Sequence, residues 1–330
     1  MTRFIDPYDA ALFDLDGVIY LGPHAVDHAP ASLAALRDLG VRVGFVTNNA
    51  SRTPQTVSDH LNELEVECHL ADVVTSAQAI AQLMIRQLPA GARVLVCGAQ
   101  ALADEMTAVG FTVVRDHTES PDAVVQGYDP QMTWPRLDDA SYAIQRGARW
   151  YVSNTDSTKP TNLGLAPGAG AMVHAIGLTN DVEPIIAGKP YPPLLHETVK
   201  RLESKSPVFI GDRLDTDIEG ANSVDMDSLM VFTGAHGKYD VSSAIPAQRP
   251  TAIGFDLRSL LEPQRSATIE GDRVVCRHAN AQQVNGRVRI EGPVNSVEEQ
   301  LDALWAITQL TWRDEGLDAT QALESLHLLH

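Results

Sequence analysis

Short runs of Val, Ile, Leu and Phe recur along this chain with longer amphipathic segments between them, and that alternation limits the fold more than any other feature. A run that is apolar at successive positions has to be covered on both faces, as in a parallel sheet flanked by helices. AALFD (10–14) and VRVGFVT (41–47) are two such runs. Between them ASLAALRDLG (31–40) has helical spacing and stops at Gly40, and PQTVSDHLNEL (54–64) predicts the next helix, with Pro54 in its first turn. RVLVCG (93–98), AVVQG (123–127) and WYVSN (150–154) predict strands of a second block, whose helices fall at 100–110 and 137–148. PVFIG (207–211) and SLMVFTG (228–234) then resume the pattern of the first block.

The expected fold class is α/β: a doubly wound parallel sheet interrupted by an inserted α/β domain of roughly a hundred residues. The expected limits are 1–79 with 184–265 for the core and 80–183 for the insert. Residues 266–330 form a small α+β extension, in which ATIEGDRVVCRHA and GRVRIEG suggest strands. Ser296 with Glu299 makes a capping box for a helix whose Leu301, Leu304, Trp305, Thr308 and Trp312 share one side. That stripe reads as core or as an oligomer contact.

A formal charge of −18 argues against a nucleic-acid partner, which would demand clustered Lys and Arg. The N-terminus has no apolar signal region and no run reaches about 18 apolar residues, so a cytoplasmic protein with no membrane partner is expected. Cys68, Cys97 and Cys276 are far apart in sequence and read as small buried hydrophobes.

Polar residues stand just after several of the buried runs, where open parallel sheets bind ligands. FDLDGV (13–18) delivers Asp14 and Asp16 to one strand end, with Gly17 free to make the tight turn beyond. Two carboxylates so close are hard to ionise unless a cation joins them, and a hard divalent cation such as magnesium suits oxygen ligands. Alone, the same tetrapeptide could be a solvated turn. TNNAS (47–51) offers the Thr47 hydroxyl and the Asn48 and Asn49 amides before a helix, an arrangement that serves either an anion or a helix cap. AGKPYP (187–192) holds Lys189 between glycine and proline, and FIGDRLDTDIEGA (209–221) presents Asp212, Asp215 and Asp217 after a strand.

Taken in order, D-x-D-G, T-N-N, G-K-P and G-D-R-x-x-T-D resemble the haloacid dehalogenase (HAD) superfamily of phosphotransferases, over about residues 10–262. The insert between the second and third motifs is similar to the large α/β cap of subclass IIA. The resemblance implies a phosphatase in which Asp14 is the nucleophile and Asp16 the general acid and base. It also implies that Asp14, the Asp16 backbone carbonyl and Asp212 hold Mg2+, with Asp217 supporting Asp212. Thr47, the Asn48 and Asn49 amides and Lys189 would hold the phosphoryl oxygens, and Arg213 would brace the loop. An aspartate at position 16 argues for phosphoryl chemistry and against carbon–halogen cleavage.

Substrate choice is expected in 154–173, with a Gly-rich turn at Gly168 and Gly170 opening a helix. That segment has few aromatics and no basic cluster beyond Lys159, which suits a small polar leaving group. Runs such as VTNNASR and GDRLDTDIEGAN are similar to those of actinobacterial glycerol-3-phosphate phosphatases. These also carry a C-terminal segment resembling part of an acetyltransferase fold, although 266–330 has no Q/R-x-x-G-x-G/A turn to hold acetyl-coenzyme A. The expected reaction is therefore hydrolysis of glycerol 3-phosphate, with a homodimer as the family-level expectation. Phosphoglycolate, pyridoxal phosphate or a sugar phosphate are alternative substrates. A phosphomutase and a non-catalytic phosphate-binding module are the alternatives of other kinds.

Overall fold

The computed structural model describes residues 2–161 and 164–330. It forms two compact units, one made of the residues up to Val43 together with Ser204–His330, the other of Gly44–Glu203. The first unit contains parallel strands in the order Ala252–Gly254, Asp227–Val231, Pro207–Gly211 and Ala10–Phe13. Phe13 lies beside Ile210 and Ile210 beside Leu229, so the strands run in step toward their carboxyl ends. Every residue of Ala10–Phe13 is buried, as its unbroken apolar run requires. Beyond Pro207–Gly211 the chain enters a wide π-type turn, Leu214–Ile218, that continues as the helix Glu219–Asn222. The helix Ala29–Asp38, with proline in its first turn, packs on the tight turn Leu257–Leu261.

The extension is an antiparallel sheet of Ala267–Glu270, Arg273–Cys276, Ala279–Val284 and Arg287–Glu291, covered by the helix Val297–Thr311. The capping box forms: Glu299 N–H donates to Ser296 Oγ at 3.2 Å, and Ser296 N–H to Glu299 Oε2 at 3.2 Å. One hydrophobic cluster runs from Met230, Phe232, Val241 and Ile253 into Val274, Val288, Leu301, Leu304, Ile307 and Leu310. The extension thus shares its core with the parallel sheet. Of the two readings of the tryptophan stripe, the structure supports core: Leu301, Leu304, Trp305 and Thr308 are buried, and Trp312 Nε1 donates to Val241 O at 2.8 Å.

In the second unit a five-stranded parallel sheet has the order Ile185–Ile186, Arg149–Val152, Ala123–Gln126, Arg93–Cys97 and Thr112–Val114. The helices Trp134–Gln145 and Ala169–Gly177 pack Ile144, Val173 and Ile176 against its Leu95, Val124 and Trp150. In the same unit Phe45–Thr47 pairs in parallel with Val73–Thr75. The helix Pro54–Glu63 is capped by Thr53 Oγ1, which accepts from Thr56 N–H at 3.1 Å. All three cysteines are free and buried, and burial pushes the thiols of Cys97 and Cys276 up to about 12, well away from thiolate chemistry. Among the described residues, no helix is long and apolar enough to cross a membrane.

Candidate functional site

The end of strand Ala10–Phe13 places Asp14, whose N–H donates to Ile210 O at 2.9 Å on the neighbouring strand. That neighbour ends at Gly211 and delivers Asp212, 2% exposed. One carboxylate oxygen each from Asp14, Asp212 and Asp217 lie within 4.8 Å of one another. Three hard oxygen donors this close repel one another as bare anions, and this donor set fits a hard divalent cation such as magnesium. Asp217 faces the backbone of its own loop: its Oδ2 accepts from Asp212 N–H at 3.2 Å and from Arg213 N–H at 3.1 Å. Arg213 forks onto Asp215, at 3.1 and 2.8 Å, so it braces the loop. Asp16 is exposed, and its carboxylate is not one of the three. The turn after it is closed by Gly17 N–H donating to Tyr20 O at 2.8 Å.

Two glycines make room for Asp212. Gly17 has φ +86°, and a Cβ there would lie 2.4 Å from Asp212 Oδ2; a Cβ on Gly234 would lie 1.9 Å from the same atom. The segment after strand Asp227–Val231 then fixes the carboxylate. Ala235 N–H donates to Asp212 Oδ2 at 2.6 Å, His236 N–H to Asp212 O at 3.1 Å, and Thr233 Oγ1 to Gly17 O at 2.5 Å. Sequence reasoning did not pick out Thr233, Gly234 or Ala235. Their signal was the one that revealed Asp14 and Asp212, a position just after a buried strand, but backbone donors and a glycine carry no chemical signature.

In the second unit, Thr47 ends its strand 4% exposed, and its Oγ1 accepts from Asn49 N–H at 3.1 Å. The Asn49 side chain accepts from Ser51 N–H at 2.8 Å and from Ser51 Oγ at 2.7 Å, which shapes the turn into the following helix. Asn48 is a junction. Its Oδ1 accepts from Lys189 N–H at 2.8 Å, while its Nδ2 donates to Lys189 O and to Asp156 Oδ1, each at 3.0 Å. Ser76 Oγ donates to Asn48 O at 2.6 Å. Lys189, 2% exposed, is thereby positioned through its backbone by a residue 141 positions earlier. Gly188 is needed here because a Cβ would approach Ser153 O to 2.6 Å and Asn48 Oδ1 to 2.7 Å.

Asp156 lies near the start of the expected specificity segment, 154–173, of which 162–163 lie outside the described residues. Its Oδ2 accepts from Asn154 Nδ2 at 3.0 Å. Gly168 and Gly170 donate their N–H groups to Ser157 O and Asp156 O, both at 2.9 Å. A Cβ at either would lie 2.1 Å from Asp156 O or 2.3 Å from Thr155 O. In this structure the two glycines permit a close backbone crossing that fixes the loop carrying Asp156.

Residues 11–112 match the haloacid dehalogenase-like hydrolase family, and 186–260 match a second HAD-hydrolase-like family. The chain is similar to the D-glycerol 3-phosphate phosphatase of Mycobacterium tuberculosis, 41% identical over 325 residues that cover 98% of this chain and 87% of that protein. It is 33% identical to an acid sugar phosphatase of Staphylococcus saprophyticus, over 77% of this chain and 97% of that one. A crystal structure of glycerol phosphate phosphatase from M. tuberculosis, in complex with magnesium, superposes with a TM-score of 0.89 at 38% identity, covering 99% of this chain and 98% of that one. The 4-nitrophenylphosphatase of Thermotoga maritima gives 0.73 at 27% identity, over 79% of this chain and 98% of that one. Motifs, strand ends and full-length relatives agree: the chain belongs to the haloacid dehalogenase-like hydrolases.

Proposed function

We propose that this chain is a magnesium-dependent phosphatase that hydrolyses glycerol 3-phosphate to glycerol and phosphate through an aspartyl phosphate on Asp14. The observation that carries the reading is the group of carboxylates from Asp14, Asp212 and Asp217 at two adjacent strand ends. Asp14, Asp212 and the Asp16 carbonyl would hold Mg2+, which supplies positive charge beside the reacting phosphoryl oxygens. Asp14 attacks phosphorus in line, so one difficult displacement becomes two easier ones. Asp16, exposed to solvent, protonates the departing alkoxide and then takes a proton from the water that hydrolyses the intermediate. Thr47 and Lys189 hold the phosphoryl oxygens. Thr47 Oγ1 accepts from Asn49 N–H with one lone pair, which leaves its own proton available to donate to a phosphoryl oxygen. Residues 80–183 serve as the cap, and Asp156, Gly168 and Gly170 shape its substrate loop.

Glycerol 3-phosphate is favoured over sugar, pyridoxal and glycolate phosphates because the likeness to the glycerol phosphate phosphatase runs through the extension, whereas that to the acid sugar phosphatase covers 77% of this chain. Cytoplasmic location and homodimerisation belong to the same proposal, the second open to light scattering. The deciding experiment is phosphate release from a panel of esters with magnesium, repeated for Asp14→Asn. Glycerol 3-phosphate should lead the panel and the variant should be inactive. Normal turnover by the variant would end the nucleophile assignment, and a far better rival ester would end the substrate assignment.

A further inference from the structure

We infer that the end of the C-terminal extension positions the metal-binding carboxylate of Asp212, with Lys238 as the connecting residue. The inference rests on the reading of Asp212 as a magnesium ligand.

The segment Thr233–Lys238 faces two ways. Its first half grips the acidic cluster, through Ala235 N–H on Asp212 Oδ2, His236 N–H on Asp212 O, and Thr233 Oγ1 on Gly17 O. Its second half is gripped by residues 326–330. Lys238 Nζ donates to Leu326 O at 2.7 Å and to Leu329 O at 2.6 Å, and Lys238 N–H donates to His330 O at 2.8 Å. Gly237 lies against the same residue, since a Cβ there would be 2.3 Å from His330 O. The His330 ring meets Phe232 edge to face at 6.1 Å, just before the segment begins.

Lys238 is only 7% exposed. A buried ammonium normally carries a carboxylate partner, and its desolvation is costly. Lys238 Nζ instead donates to backbone carbonyls of the extension, an arrangement suited to fixing a chain segment. Between that fixed point and Asp212 lie Ala235, His236 and Gly237. His236 tightens the span further, because its Nδ1 accepts from Leu214 N–H at 2.9 Å on the loop that follows Asp212. A magnesium ligand tolerates little positional error, so residues that orient it set metal affinity, typically by about 10- to 100-fold when removed.

The test is direct metal binding, by calorimetry with Mg2+ and by electron paramagnetic resonance with Mn2+, on the full chain. Lys238→Met should weaken metal binding about 10-fold and leave the KM for phosphate ester unchanged at saturating metal, while Lys238→Arg should restore most of the affinity. Asp212→Asn is measured alongside. If Asp212→Asn abolishes metal binding and a folded Lys238→Met binds normally, the positioning role is wrong and the site assignment stands. If Asp212→Asn binds metal normally, the site assignment itself fails. Hydrogen exchange on the unmodified protein covers the case of a variant that does not fold. Metal should slow the amides of Ala235, His236, Lys238 and 326–330 together, and protection that stops at His236 would overturn the inference.

Discussion

Replacing Gly234 with alanine isolates the geometry of the metal carboxylate from its chemistry. No charge, donor or acceptor is removed, and no positive φ is recorded at Gly234, so the backbone accepts alanine. The added Cβ would sit 1.9 Å from Asp212 Oδ2 and 2.4 Å from its Cγ, whereas real Cβ contacts do not fall below 3.0 Å. The carboxylate or the loop must therefore move by at least 1.1 Å. Such a shift also stretches the 2.6 Å bond from Ala235 N–H that orients Asp212. Octahedral magnesium needs its ligands near 2.1 Å, and a misplacement of about 1 Å costs on the order of 100-fold in rate. The expected fall in kcat/KM is thus about 100-fold, or about 2.7 kcal/mol. Phosphate release should be followed across a magnesium titration, with thermal unfolding as a control for the fold. The metal concentration for half-maximal rate should rise as kcat/KM falls. A folded variant within about threefold of the parent at every magnesium concentration would refute the claim that Gly234 exists to make room for Asp212.

Asp156→Ala removes one of the two acceptors of Asn48 Nδ2 and the acceptor of Asn154; we expect kcat/KM for substrate to fall about tenfold with metal affinity unchanged, read by steady-state kinetics and calorimetry. Asp302→Ala should destabilise the fold by about 2 kcal/mol in urea, because it strips one of two carboxylate partners, at 3.1 Å, from Arg265, whose side chain is 3% exposed and which keeps Glu298. The Asp9 carboxyl lies below its ordinary value of 3.8: burial pushes it up, but the Ser204 hydroxyl, the Lys205 and Ser206 amides and Arg42 outweigh that. Its contribution is therefore complete above that ordinary value and lost as pH falls through the lower folded value, so Asp9→Asn should flatten the acid limb of a stability–pH curve.

What could be read from the sequence follows from where each signal resides. Strands such as Ala10–Phe13 and Pro207–Gly211 announce themselves because burial on both faces demands an unbroken apolar run. The capping box at Ser296 and the helix opening at Pro54 are local, set by residues within one turn. The strand Thr112–Val114 escaped notice because it is short and buries only Val114, and the hairpin of Thr158–Thr161 with Gly164–Pro167 because it is polar and contains proline. Asn48 was read for its amide, yet its side chain ties Lys189 to Asp156 across 141 and 108 positions, a link without local trace. The extension's core was equally hidden, since its apolar stripe names no partner until Val241 and Phe232 meet it.

The pairing of Ala10–Phe13 with Pro207–Gly211 also bears on how the protein is made. A ribosome adding roughly 5–20 residues per second spends about 10–40 s between these two strands. Gly44–Glu203 is continuous and emerges whole in that interval, while the first unit still lacks most of its chain. For that time the edge of Ala10–Phe13 that Pro207–Gly211 will cover waits in the cell, four apolar residues long. Synthesis order, rather than final stability, thus leaves this short strand open to capture by chaperones or by other nascent chains.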